Sequence, residues 1–282
     1  MVADDFLQDS LVRQWLNGIE PAWTVLAFDS LRALRQEPSG DQSAIRFATG
    51  LTAEEISGSA VARNTQVLLR RLVERDGLPL TATGNLSRAA VAEVRRLVEW
   101  PDYDQDGALQ FHTVINEPDF QPLHVVRLLA QTATLVRAQR GRLVATALGK
   151  AILGESAQGS LLALLFHLAF WHIDLAYFGR ALLGSWPQPD IGIVLWSLSV
   201  AADDWETSER LARLCTIPKP EMLTGSWDRS ALALEAQILR PLLWFGVLEY
   251  RREALPGSQF EPRLDRLIRF NIRMEIAEGV RH

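Results

Sequence analysis

The chain has 282 residues, enough for one large domain or two to three small ones. Its 48% hydrophobic and 22% charged content is that of a folded globular protein, and a net charge of −5 excludes a whole-surface basic field, so any contact with nucleic acid must come from a local patch. The one cysteine, Cys215, excludes an internal disulfide and fits a buried thiol in a reducing, cytoplasmic setting.

The opening MVADDFLQDS has neither a basic n-region nor an apolar h-region, which argues against a signal peptide. Over 6–36, Leu11, Trp15, Leu16, Trp23, Leu26, Leu31 and Leu34 recur at helical spacing, and Gly18 with Pro21 divides the pattern into two helices. EPSGDQS (37–43) reads as a turn-rich linker. Thr52 and Glu55 have capping-box spacing and predict a helix start, SGS (57–59) interrupts it, and a second helix carries Val61, Val67, Leu68, Leu72 and Val73. This pair imitates a helix-turn-helix.

LPLTATG (78–84) and LVATALG (143–149) share a Thr and a Gly at equal spacing, each between apolar helices. A short strand, a Thr that caps the next helix and a Gly that allows close approach account for both, and they predict two copies of one unit. A third, degenerate copy is expected over 231–270, as helix, strand, loop, strand, helix.

DYDQDGALQFHT (102–113) imitates a calcium loop through Asp102, Asp104, Asp106 and Gly107. Thr113 stands where the bidentate Glu belongs, so the segment reads as a solvated acidic turn. LLALLFHLAFWHIDLAYF (161–178) is interrupted by His167, His172 and Asp174; it is too short and too polar for a membrane span and reads as a core helix. The two histidines are i and i+5 on that helix, on different faces, which disfavours a metal site. The tryptophans of 155–230 read chiefly as core, with a protein-partner surface as the other use. No nucleophile elbow, P-loop or Cys–His signature is present, so the chain is expected to be non-catalytic and without cofactor.

One stretch carries a functional signal. From Gln121 to Lys150 the basic residues are Arg127, Arg137, Arg140, Arg142 and Lys150, and there is no acid. LVRAQRGRLVATALGKAIL (135–153) reads as strand, turn, strand, helix, with basic residues about the turn. The helix before it, about 120–132, places His124, Arg127 and Gln131 on one face, at i, i+3 and i+7. In a winged helix that helix reads the groove and the hairpin tip is the wing. The candidate nucleic-acid-binding residues are therefore His124, Arg127, Gln131, Arg137, Arg140, Arg142 and Lys150.

The motifs LT-x-x-G-N-L-x-R (Thr81, Gly84, Asn85, Arg88), N-E-x-D-x-x-x-L (Asn116, Glu117, Asp119, Leu123) and L-V-R-x-x-x-G-x-L-x-x-T-x-x-G (Arg137, Gly141, Thr146, Gly149) extend this picture. Over about 60–180 the chain resembles a group of bacterial proteins that includes the C-terminal region of the Ri-plasmid third-open-reading-frame family. The resemblance implies winged-helix character and a mobile-element setting; it implies no established activity or ligand.

The expectation is a mainly α protein with two or three winged-helix-like units. These are an N-terminal helical segment (1–50), a first unit (51–115), a central winged helix (116–155), and a Trp-rich helical region ending in the degenerate unit (156–282). The expected function is a non-catalytic, DNA-binding regulatory or mobile-element accessory protein in the cytoplasm, with duplex DNA as partner and no membrane. The alternative is a helical protein-interaction scaffold that uses winged-helix units without nucleic acid, and the net acidity favours it.

Overall fold

The computed structural model describes residues 9–40, 42–48, 51–101, 103, 115–154, 157–179, 182–201, 205–223, 227–252, 258–264 and 267–270. Among the described residues the protein is mainly α, 56% helical with 13% strand. It divides into two compact units. Unit 1 combines Met1–Ala48 with Phe170–Leu243 and Val247–His282, and unit 2 combines Thr49–Ala169 with Trp244–Gly246. The N-terminal segment thus falls in one unit with the C-terminal region, and 51–115 and 116–155 fall together in the other.

Helices α1 (Ser10–Leu16) and α2 (Phe28–Leu34) and strand β1 (Ile45–Phe47) open unit 1. The chain then builds unit 2. Its helix α3 (Ala53–Ser57) ends before Ser59, which caps α4 (Ala60–Glu74) by accepting from the Ala62 N–H. Strand β2 (Leu78–Pro79) leads to α5 (Arg88–Arg95), and α6 (Gln121–Thr132) precedes a hairpin of β3 (Val136–Gln139) and β4 (Arg142–Ala145). Helices α7 (Ala147–Ala151) and α8 (Gln158–His167) follow. Helix α4 is the centre of the unit: Val61, Leu68, Leu69 and Leu72 are buried, and it packs on α6, α8 and β4.

The hairpin turns where the sequence indicates. Arg140 and Gly141 both have positive φ, the requirement of a tight two-residue hairpin turn, and Gln139 pairs with Arg142. Residues 78–84 and 143–149, however, are not two copies of a unit. Leu78 pairs with Leu143 and Pro79 with Arg142, so the segments are partner strands of one antiparallel sheet in the order β2-β4-β3. Thr146 does cap α7, accepting from the Gly149 N–H at 3.0 Å. Gly149 does permit a close approach, since a Cβ there would stand 2.1 Å from the Leu135 carbonyl oxygen. Thr81 plays a different part: it closes the loop before α5, and Ser87 is the cap of that helix.

Unit 1 resumes with α9 (Ala176–Gly179), β5 (Leu182–Ser185), α10 (Ile191–Ala201), β6 (Glu206–Thr207) and α11 (Ser208–Cys215). Helices α12 (Pro220–Leu223), α13 (Trp227–Leu234) and α14 (Arg240–Trp244) lead into strands β7 (Leu248–Arg252), β8 (Ser258–Pro262) and β9 (Ile268–Phe270). The succession helix, short strand, helix, helix, hairpin thus occurs a second time. Its sheet has the order β6-β8-β7, in which the isolated strand again pairs with the second strand of the hairpin. RLDRLIRF does not form the helix expected of it. Ile268–Phe270 is a strand, antiparallel to β1 with Ile45 opposite Phe270. Leu264, Leu267 and Ile268 are buried there, and the backbone groups of 268–270 are met by a neighbour that local periodicity does not reveal.

The tryptophans are mostly core. Trp15, Trp23, Trp186 and Trp196 are all at most 3% exposed, and the Trp23 and Trp186 indoles donate at 3.1 Å to the carbonyls of Thr216 and Ile217. Cys215 is buried, and burial pushes its thiol well above the ordinary range. The 161–178 stretch forms α8 and a following π-helical turn, and breaks near Asp174, whose carboxylate accepts from the Ala176 N–H. His172 meets Glu37 at 2.7 Å. Among the described residues no helix is long and apolar enough to cross a membrane. The calcium-loop imitation at 102–113 falls almost wholly outside the described residues.

Candidate nucleic-acid interface

Helix α6 has a Pro at its first turn and buries Leu123, Val125, Val126, Leu129 and Ala130. Gln121, Gln131 and Thr132 are exposed, and His124 and Leu128 half-buried. At 3.6 residues per turn these five form one narrow solvent-facing stripe, polar except for Leu128. His124 and Gln131 belong to it, as the sequence suggests.

Arg127 does not. It is 7% exposed, and its guanidinium donates to the Glu117 carboxylate and, at 2.6 Å, to the Gly84 carbonyl. The i, i+3, i+7 spacing puts Arg127 at the margin of the polar face, where the loop carrying Glu117 covers it. Glu117 itself is 2% exposed. Its carboxylate also accepts from the Leu86 N–H at 2.5 Å, and His124 Nδ1 stands 4.0 Å away. Burial by itself pushes the Glu117 carboxyl upward. The His124 ring beside it, the hydrogen bonds from Leu86 and Arg127 and the Arg127 charge outweigh it and hold the group below its ordinary value of 4.5.

Arg142 is exposed but is also engaged within the fold. Its side chain donates at 3.0 Å to the carbonyls of Asp76 and Arg75, and also to that of Gly77. It therefore satisfies carbonyls just beyond the C-terminus of α4, close to the negative end of that helix's dipole. Arg137, Arg140 and Lys150 remain exposed. Arg137 donates to the Gln139 side chain at 3.1 Å. Of the seven candidate residues, the fold leaves Gln131, Arg137, Arg140, Arg142 and Lys150 exposed and His124 half-buried, buries Arg127, and engages the Arg142 side chain with backbone carbonyls.

The motif residues about Thr81 and Asn116 are brought together as well. The Thr81 N–H donates to the Asn85 carbonyl at 2.7 Å, the Asn85 N–H to the Thr81 hydroxyl at 3.2 Å, and Leu80 bridges Leu86. Asp119 accepts from the backbone and side-chain N–H groups of Asn116 at 3.1 and 2.9 Å. Arg88 Nε donates to Asn116 Oδ1 at 3.1 Å. The loops 81–88 and 116–119 enclose a pocket of about 670 Å³ lined by Thr81, Thr83, Asn85, Arg88, Asn116 and Asp119, among others. Sequence reasoning left this pocket out of the candidate site. The two polar motifs that flank it are its only sequence signal.

No curated protein and no solved structure matches the chain. Residues 57–158, which run from the end of α3 to the start of α8, match the family model of the Y4jL N-terminal domain. Just over a third of the chain, the segment holding the β2-β4-β3 sheet and its helices, is thus similar to that domain.

Proposed function

We propose that residues 57–158 are a winged-helix module that binds duplex DNA without catalysis or cofactor, in a regulatory or mobile-element accessory protein. The order α4–β2–α5–α6–β3–β4, with β2 laid on β4, supports this: α6 stands where a recognition helix stands and the 136–145 hairpin where a wing does. The matching order in unit 1 supports a second winged helix there.

The observation that carries the reading is the set of exposed side chains on 121–150, a segment that itself contains no acid. Gln121 and Gln131 offer hydrogen bonds of the kind that read base edges, and Arg137, Arg140 and Lys150 offer charge to phosphates. Among the described residues no carboxylate pairs with Arg137, Arg140 or Lys150. Fluorescence anisotropy with a labelled duplex tests it. Binding should weaken as salt rises, and Arg137→Gln with Arg140→Gln should weaken it for every sequence alike.

One observation favours the scaffold reading: two of the five basic side chains in 121–150, Arg127 and Arg142, are engaged internally. Folded protein at micromolar concentration that binds no duplex at about 50 mM salt decides for the scaffold.

A further inference from the structure

We propose that the pocket between residues 81–88 and 116–119 seats a phosphate group, which Arg88 grips with Asn85 and Thr83 beside it. The inference rests on the duplex reading for the source of that phosphate, a backbone phosphodiester next to the wing; a free nucleotide carries the same chemistry.

Three observations lead here. First, the basic end of the pocket is uncommitted. Only Nε of Arg88 is engaged, on Asn116, and among the described residues neither terminal guanidinium nitrogen has an acceptor. The Asn85 side chain likewise has no partner among the described residues. Arg88 is exposed and Asn85 half-buried, both lining the pocket.

Second, the two carboxylates in the wall are already occupied. Glu117 is paired with Arg127 and accepts from Leu86, and Asp119 accepts twice from Asn116. Arg127 lies behind the wall with its own Nε buried and without an acceptor, so positive charge backs Glu117. An anion entering the pocket therefore meets the free donors of Arg88 and Asn85, with the Glu117 charge answered by Arg127 and the Asp119 oxygens turned to the Asn116 amide.

Third, the pocket adjoins the proposed interface on both sides. The Leu80 N–H donates to the Gly141 carbonyl at 2.8 Å, so the 81–88 loop leaves the sheet beside the wing turn. The 117–119 turn runs directly into α6, where Gln121 begins the polar face. The two loops of the pocket thus lead, through Leu80 and through the 117–119 turn, to the hairpin turn and to α6, the elements that the duplex reading uses.

The test compares wild type with Arg88→Gln, which keeps a donor for Asn116, and with Asn85→Ala. Duplex affinity is measured over a range of salt, and thermal unfolding checks the fold. Arg88→Gln is expected to weaken the duplex about tenfold and to lower the slope of log affinity against log salt by about one. Wild type that binds duplex while both variants bind it identically overturns the pocket and leaves the duplex reading standing. If wild type binds no duplex, calorimetric titration with a nucleoside monophosphate decides. Binding that Arg88→Gln abolishes keeps the pocket, with the free nucleotide as its source, and ends the duplex reading. No binding overturns both.

Discussion

Arg127 of α6 and Glu117 of the preceding turn form an ion pair inside unit 2, with 7% and 2% of each residue exposed. Around this pair the loop 81–86 is fastened to α6, because Glu117 holds the Leu86 N–H and Arg127 the Gly84 carbonyl. The motif residues of both segments thus build one structure.

Arg127→Met is expected to destabilise the protein by about 3–5 kcal/mol, since it leaves the Glu117 carboxylate buried and unpaired. Urea denaturation measures it. Arg127→Met with Glu117→Gln together should recover part of the loss, because no uncompensated charge remains. A single variant as stable as wild type would show that the pair is unimportant.

Acid should loosen the same site. The Glu117 carboxyl is held below its ordinary value of 4.5 by its hydrogen bonds and the Arg127 charge. A carboxyl lowered in the folded state contributes stability that is complete above its unfolded value and is lost as pH falls through the folded one. Between pH 7 and about pH 3 the urea midpoint of wild type is therefore expected to fall further than that of Glu117→Gln. Equal falls would count against the assignment.

Arg140 and Arg142 stand on either side of one glycine and should behave differently. Arg142→Ala removes three donors to the carbonyls past α4 and should cost about 1–3 kcal/mol of stability. Arg140→Ala, exposed at the turn, should leave stability unchanged and weaken duplex binding. Denaturation and anisotropy on the two single variants separate these roles, and the reverse pattern would refute them.

Gly149→Ala should destabilise unit 2 by about 3 kcal/mol, because a Cβ 2.1 Å from the Leu135 oxygen forces α7 away from the strand. Thr146→Ala, which removes the cap of α7 and its bond to the Thr134 carbonyl, should cost about 1 kcal/mol. Thermal unfolding ranks the two, and a tolerated alanine at 149 would mean that the helix shifts freely.

The sequence by itself determined the elements whose signals are local. Apolar spacing marked α4, α6 and α8, the turn preference of Arg140–Gly141 marked the hairpin, and Thr146 marked the start of α7. It also marked the acid-free run from 121 to 150. Tertiary structure alone decided which elements cover one another. Residues 78–79 and 142–143 became strand partners instead of repeats, and Ile268–Phe270 became a strand because β1 meets its backbone. Arg127 became buried because Glu117, in another turn, lies over the margin of its helix. The physical reason is common to all three. Periodicity along a chain encodes which side of an element is apolar, whereas ladder partners and buried charges are satisfied by groups distant in sequence, and only packing brings those groups within bonding distance.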